Sequence, residues 1–196
     1  MILVPTGPLT NVALAFIKAP WIKDKIERII LMGGGMRDSN VTPAAEFNIY
    51  VDPEAAKIVF ESGVPLTMVG LDVTNRAIFS FDDIEKITRM EGRVSKIVGP
   101  LLKFFAQANM DIFGLQGAPL HDALAVAAVI EPDIITTKHL YVAVETRGDL
   151  TRGMTLVDYY GVLKQEPNVD VALELDNPRF VTMMTAAIEK LNRKIG

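Results

Sequence analysis

The 196-residue chain contains no cysteine. That excludes a disulfide framework and any thiolate metal site, and it is compatible with a reducing cytoplasm. Long apolar runs are also missing. The longest clean one, Ala123 to Ile130, is far too short to cross a bilayer. Charge gives no strong pointer either: the net charge is −4 and the two halves show no marked asymmetry, so neither nucleic acid nor an anionic membrane is the expected partner. The start, "MILVPTG", reads as a strand entering a turn rather than as a secretion signal, and no internal repeat or low-complexity tract appears.

What remains is an alternating pattern. "MILVP" and "RIILMGGG" are short apolar runs without polar alternation, as expected for buried parallel strands. Helices are expected from Pro8 to Lys18 and from Asp52 to Ser62, with Gly63 as a stop and "VPLTMVG" as a third strand. This βαβαβ rhythm predicts an α/β fold with a mainly parallel sheet flanked by helices. Further on, helices are expected over 82–90, 93–110 and 121–130, with "FGLQGAP" as a loop before the third. A hairpin then joins "HLYVAVET" to "MTLVDYY", and "VDVALELD" and a closing helix over 177–190 follow. One domain, 1–196, is the economical reading. "MILVP" looks like a central strand needing a neighbour on each side, so the chain is expected to lack preceding βα units.

Several short stretches carry chemistry. "PTGPLTN" is a strand-to-helix turn that presents carbonyls at the strand end and N–H groups at the helix start; its plain reading is a turn capped by Thr6. "MGGG", Met32 to Gly35, resembles a phosphate cradle but lacks the dinucleotide spacing and the P-loop lysine. Read as an extended segment, "AAEFNIYV" places Glu46 and Asn48 on one face, a carboxylate and a carboxamide suited to sugar hydroxyls. The alternative is a solvated Glu46 and a turn-capping Asn48. His121 and Asp122 open an otherwise apolar, alanine-rich helix, whose dipole favours the aspartate and disfavours an imidazolium; Asp122 is otherwise a plain cap.

Taken in order, "TGPLTNVALA", "IILMGGG", "VTPAAEFNIYVDPEAA", "GVPLTMVGLDVT" and "PLHDALAVAAVIEPD" resemble the inosine-uridine preferring nucleoside hydrolase family over nearly the whole chain. The resemblance implies hydrolysis of the N-glycosidic bond of a ribonucleoside substrate with the help of one bound Ca²⁺. By the same resemblance, Thr6 (through its carbonyl) and Asp122 match calcium ligands, Glu46 and Asn48 match residues holding the ribose hydroxyls, and Met32 lines the pocket. His121 matches the histidine that assists the departing base. Base recognition would draw on the region 93–116, with Asn109, Phe113 and Gln116 as candidates.

One family element has no counterpart. The aspartate run Asp-x-Asp-Pro-Gly-x-Asp-Asp, which supplies the general base and most calcium carboxylates, is not found, and the nearest double acid, Asp82-Asp83, lies at an expected helix start. The chain therefore reads as the carboxyl-terminal two-thirds of a nucleoside hydrolase, lacking about three βα units of about 30 residues each. Alone it is expected to be catalytically impaired, to bind calcium weakly or not at all, and to associate as a homo-oligomer or with an amino-terminal partner chain. The alternative is a non-catalytic assembly or binding subunit. A Rossmann-type dinucleotide enzyme would rest on "MGGG" alone.

Overall fold

The structure, a computed structural model, describes residues 1–195. In chain order its elements are β1 (Ile2–Leu3), α1 (Thr10–Lys18), a 3-10 segment (Pro20–Lys25), β2 (Arg28–Met32), α2 (Phe47–Val51), α3 (Pro53–Phe60), β3 (Leu66–Val69) and α4 (Leu71–Thr74). These are followed by β4 (Ile78–Ser80), α5 (Phe81–Arg89), α6 (Arg93–Phe113), β5 (Gly117–Pro119), α7 (His121–Ile130), β6 (Ile135–Val144), β7 (Thr155–Asp158), β8 (Val169–Leu175) and α8 (Asn177–Ile195).

The chain gathers into two compact units, one of residues 1–73 and 122–175, the other of residues 74–121 and 176 onward. The first holds a six-stranded sheet in the order β1-β2-β3-β8-β6-β7. β1, β2 and β3 run parallel, as their short apolar runs predict, and β8 adds to them parallel to β3. β6 pairs antiparallel with β8 on one side and β7 on the other, forming the expected hairpin. The core lies between this sheet and α1 and α3, where Leu9, Phe16, Ile29, Leu31, Val59, Phe60 and Met68 are buried together. Among the described residues β1 has β2 as its single neighbour, and its two residues are half-buried rather than central.

In the second unit β4 and β5 form a short antiparallel ladder, Ile78↔Pro119 to Ser80↔Gly117, so the end of "FGLQGAP", expected to be loop, is strand. The double acid falls where the sequence put it: Ser80 and Asp83 close a capping box that starts α5. The amino end of α6 is capped from α8, with Asn192 Oδ1 accepting from the N–H groups of Val94 at 2.9 Å and Ser95 at 3.1 Å. Phe79 and Phe180 meet edge to face at 6.5 Å between ring centres.

Candidate active site

β2 delivers Met32 to the carboxyl end of the parallel sheet, where ligands of open α/β folds bind. The glycines that follow do not form a phosphate cradle. Each of five successive N–H groups already has a partner: Gly33 donates to Val69 O at 3.4 Å, Gly34 to Glu46 Oε2 at 2.9 Å, and Gly35 to Thr155 Oγ1 at 2.9 Å. Met36 and Arg37 donate to the two carboxylate oxygens of Asp72 at 2.6 and 2.9 Å. The Thr155 hydroxyl returns a bond to Gly35 O at 2.7 Å, and Leu71 N–H reaches Gly34 O at 2.9 Å. Gly34 needs its positive φ of 71°, and a Cβ at Gly35 would lie 2.1 Å from Asp38 O. With no donor left over, the dinucleotide reading of "MGGG" falls.

Glu46 and Asn48 do not share an extended segment. Glu46 is the N-cap of α2, its Oε2 accepting from Ile49 N–H at 3.2 Å, and Asn48 lies inside that helix. Residues two apart on a helix point well away from each other, so alternation is not what gathers the pair. They converge instead on the end of β2. Glu46 turns back over the helix start to hold Gly34, while Asn48 Nδ2 donates to Met32 O at 3.1 Å. Glu46, Asn48 and Met32 are all buried. Among the described residues no protein donor reaches the Asn48 carboxamide oxygen. Burial pushes the Glu46 carboxyl above its ordinary value; donation from the Asn48, Gly34 and Ile49 backbone opposes the rise, and the negative charge of Asp122 adds to it.

Thr6 is exposed and does not cap a helix. α1 begins at Thr10 rather than Pro8, its N-cap Leu9 makes no side-chain capping bond, and the Thr10 hydroxyl donates to Asp52 Oδ2 at 2.5 Å. Pro5 O accepts from Met32 N–H at 3.0 Å, which sets Thr6 at the same end of the sheet as Met32. Asp122, the second residue of α7, stays open to solvent, and partial burial of its carboxyl raises its pKa. Calcium takes six to eight oxygens. A Thr6 carbonyl and the Asp122 carboxylate fall well short, and no group of three or more His, Asp and Glu able to hold a metal exists among the described residues. The residues present do not by themselves fit the ion.

His121 opens α7 and belongs to the second unit. It is half-buried, its Nδ1 lies 2.8 Å from Thr74 Oγ1, and burial, the cause that dominates here, holds its pKa below the ordinary histidine range. Of the candidates for base recognition, Asn109 is buried with its Nδ2 bonded to Phe105 O one turn back, while Phe113 and Gln116 are exposed. Thr155, Asp72 and Thr74 carried no assignment from sequence. Asp72 and Thr74 sit in the quoted stretch "GVPLTMVGLDVT"; Thr155 is 120 residues from the glycine it holds, a distance over which no local pattern speaks.

The profile of the inosine-uridine preferring nucleoside hydrolases matches residues 1–182. The chain belongs to this family. The pyrimidine-specific ribonucleoside hydrolase RihA of Salmonella gallinarum is 47% identical over 188 residues, covering 95% of this chain and 60% of the relative. RihA of Escherichia coli is 49% identical over 183 residues, covering 93% and 59%. Among solved structures, a purine-preferring ribonucleoside hydrolase from Gardnerella vaginalis superposes with a TM-score of 0.89 at 37% identity, covering 97% of this chain and 61% of that one. The chain thus spans about 60% of the length of the curated relatives it matches.

Proposed function

We propose that the chain works in the hydrolysis of the N-glycosidic bond of ribonucleosides, giving ribose and a free base. The observation that carries this reading is the gathering of buried Glu46 and Asn48 on the carboxyl end of β2, beside Met32. A carboxylate and a carboxamide held there by backbone bonds are rigid acceptors and donors for the vicinal hydroxyls of a sugar. In the reaction, the oxygen of water bonds to C1′ as the bond from C1′ to the base nitrogen breaks. The bonding electron pair leaves with the base, and a proton from the water ends on it. Glu46 and Asn48 hold the ribose while positive charge builds on the sugar ring, and Met32 packs beside it. His121, kept neutral by burial, hydrogen-bonds to the departing base.

Thr6 and Asp122 serve in this reading as two calcium ligands of a complete family site; the chain alone binds the ion weakly or not at all. Calorimetry with calcium checks this, and micromolar binding by the purified chain would sink it. No part of this chain matches the family's aspartate run. Loss of a general base costs about 10²–10⁴-fold, so the chain alone is a slow catalyst. Association through the β1 edge, with a second copy or an amino-terminal partner chain, belongs to the same proposal. It is supported by the one-sided pairing of β1 and by exposed Leu14, Ile17 and Trp21 in the same unit. A cytoplasmic setting agrees with the absence of cysteine, and no described helix is long and apolar enough to cross a membrane.

A non-catalytic assembly subunit is the second reading, favoured by the lack of a metal-holding group among the described residues. Ribose release from uridine and inosine separates the two. Slow release that disappears in the Asn48→Ala chain supports hydrolysis; no release above the protein-free rate, together with no ribose binding by calorimetry, supports the assembly role.

A further inference from the structure

The stretch "LDVT" ends on Thr74, whose side chain is fully buried. Among the described residues, the one hydrogen-bond partner of its hydroxyl is His121 Nδ1, at 2.8 Å. The spacing is set by backbone on both sides. Ala77 N–H donates to Thr74 O at 3.1 Å, and Leu120 N–H donates to Ala77 O at 2.9 Å. The β4–β5 ladder then continues from Ile78↔Pro119. Gly117 lets the two strands close, since a Cβ there would lie 2.2 Å from Phe79 O. His121 therefore follows directly from a strand register that fixes where Thr74 stands.

We propose that Thr74 is a positioning residue that donates its hydroxyl proton to Nδ1 of His121 and so fixes the imidazole as the Nε2–H tautomer. A buried hydroxyl that kept its proton unshared would forfeit about 1–3 kcal/mol, and His121 Nδ1 is the acceptor within its reach. A lone pair on Nδ1 requires the proton of a neutral ring to sit on Nε2. Among the described residues no protein group bonds Nε2. The result is a neutral ring with its N–H directed away from Thr74, a hydrogen-bond donor that needs no prior protonation. This rests on the nucleoside hydrolase reading only for what the donor meets, namely the nitrogen or carbonyl of a departing base.

Ring-nitrogen NMR of the histidine-labelled chain tests it, at a pH well above the ordinary histidine range. The chain has two histidines, and a His139→Gln chain assigns the signals. The expected spectrum for His121 shows a protonated Nε2 and an Nδ1 shifted as a hydrogen-bond acceptor. Thr74→Val should move the Nδ1 signal to that of an unbonded lone pair and raise the share of the Nδ1–H tautomer; Thr74→Ser should restore the native pattern. A native spectrum with the proton on Nδ1 overturns the proposal whether or not any variant folds, as do ring signals unchanged in a folded Thr74→Val chain. Where hydrolysis is measurable, Thr74→Val should lower kcat about tenfold with KM unchanged, and Thr74→Ser should recover it. An Nε2–H ring in a chain that neither binds nor hydrolyses nucleosides would leave the tautomer in place and remove the functional reading instead.

Discussion

Two loops leave adjacent parallel strands at the same end of the sheet, and they are built in opposite ways. The loop after β2, from Gly33 to Arg37, has every N–H bound internally, to Val69, Glu46, Thr155 and Asp72. The turn after β1, from Thr6 to Leu9, has an exposed threonine, no side-chain helix cap, and a glycine with no atom within 4 Å of where a Cβ would stand. Glycine is needed in the first because the backbone is crowded; in the second it meets no such demand. The contrast shows that a run of three glycines is scaffold here, holding Met32 and Glu46 in place, while the turn after β1 carries its exposed threonine on an uncrowded backbone.

The sharpest way to break this comparison is alanine at a glycine in each loop. Gly35→Ala should destabilise by about 4 kcal/mol, at the upper end for one substitution, because the new Cβ would meet Asp38 O. Gly7→Ala should stay within about 0.5 kcal/mol. Urea midpoints decide, and equal losses would erase the distinction. Next in size is Glu46→Ala. It leaves the N–H groups of Gly34 and Ile49 without their acceptor at about 1–3 kcal/mol each, so a total near 3 kcal/mol is expected in the same titration. Thr155→Val removes one acceptor and one donor from Gly35 and should cost about 1–2 kcal/mol, with Thr155→Ser close to the native chain.

The smallest effect is a slope with pH. Burial raises the folded Glu46 carboxyl above its ordinary value of 4.5, so the folded chain keeps a proton that the unfolded chain releases. Its contribution to stability is fully present below that ordinary value and is lost as pH rises through the folded pKa. Glu46→Gln should flatten this part of the stability profile, as read by urea midpoints across the acid range. A profile of unchanged steepness would mean that Glu46 is not desolvated as described.

The architecture was legible because the signals for it are local. "RIILM" is buried over four of its five residues, the hairpin closes where its turn residues lie, and Asp82-Asp83 caps a helix as its position implies. Glu46 and Asn48 were found as a pair, but for the wrong geometric reason. "AEFNIY" alternates like a strand, and a helix of five residues is too short to show its own period. What made it helical was a cap and a bond from Asn48 to Met32, sixteen positions back. Thr155 could not have been found in this way, because its partner is set by sheet topology rather than by spacing. Thr74 was quoted within a motif, yet its meaning depends on a three-residue strand pairing whose second strand reads as loop.

The position of β8 has a consequence for how the chain is made. This strand comes last in sequence but lies between β3 and β6, joining the parallel strands to the hairpin. Until residues 169–175 have been synthesised, β3 and β6 each lack the strand that pairs with them in the finished sheet, so β1 to β3 and the β6–β7 hairpin have nothing to join them. Closure then requires contacts far apart in sequence, the slow class of folding step, and both edges remain open to wrong partners during the wait. A nascent chain stalled before Val169 would have two unjoined sets of strands, one ending at β3 and the other at β6.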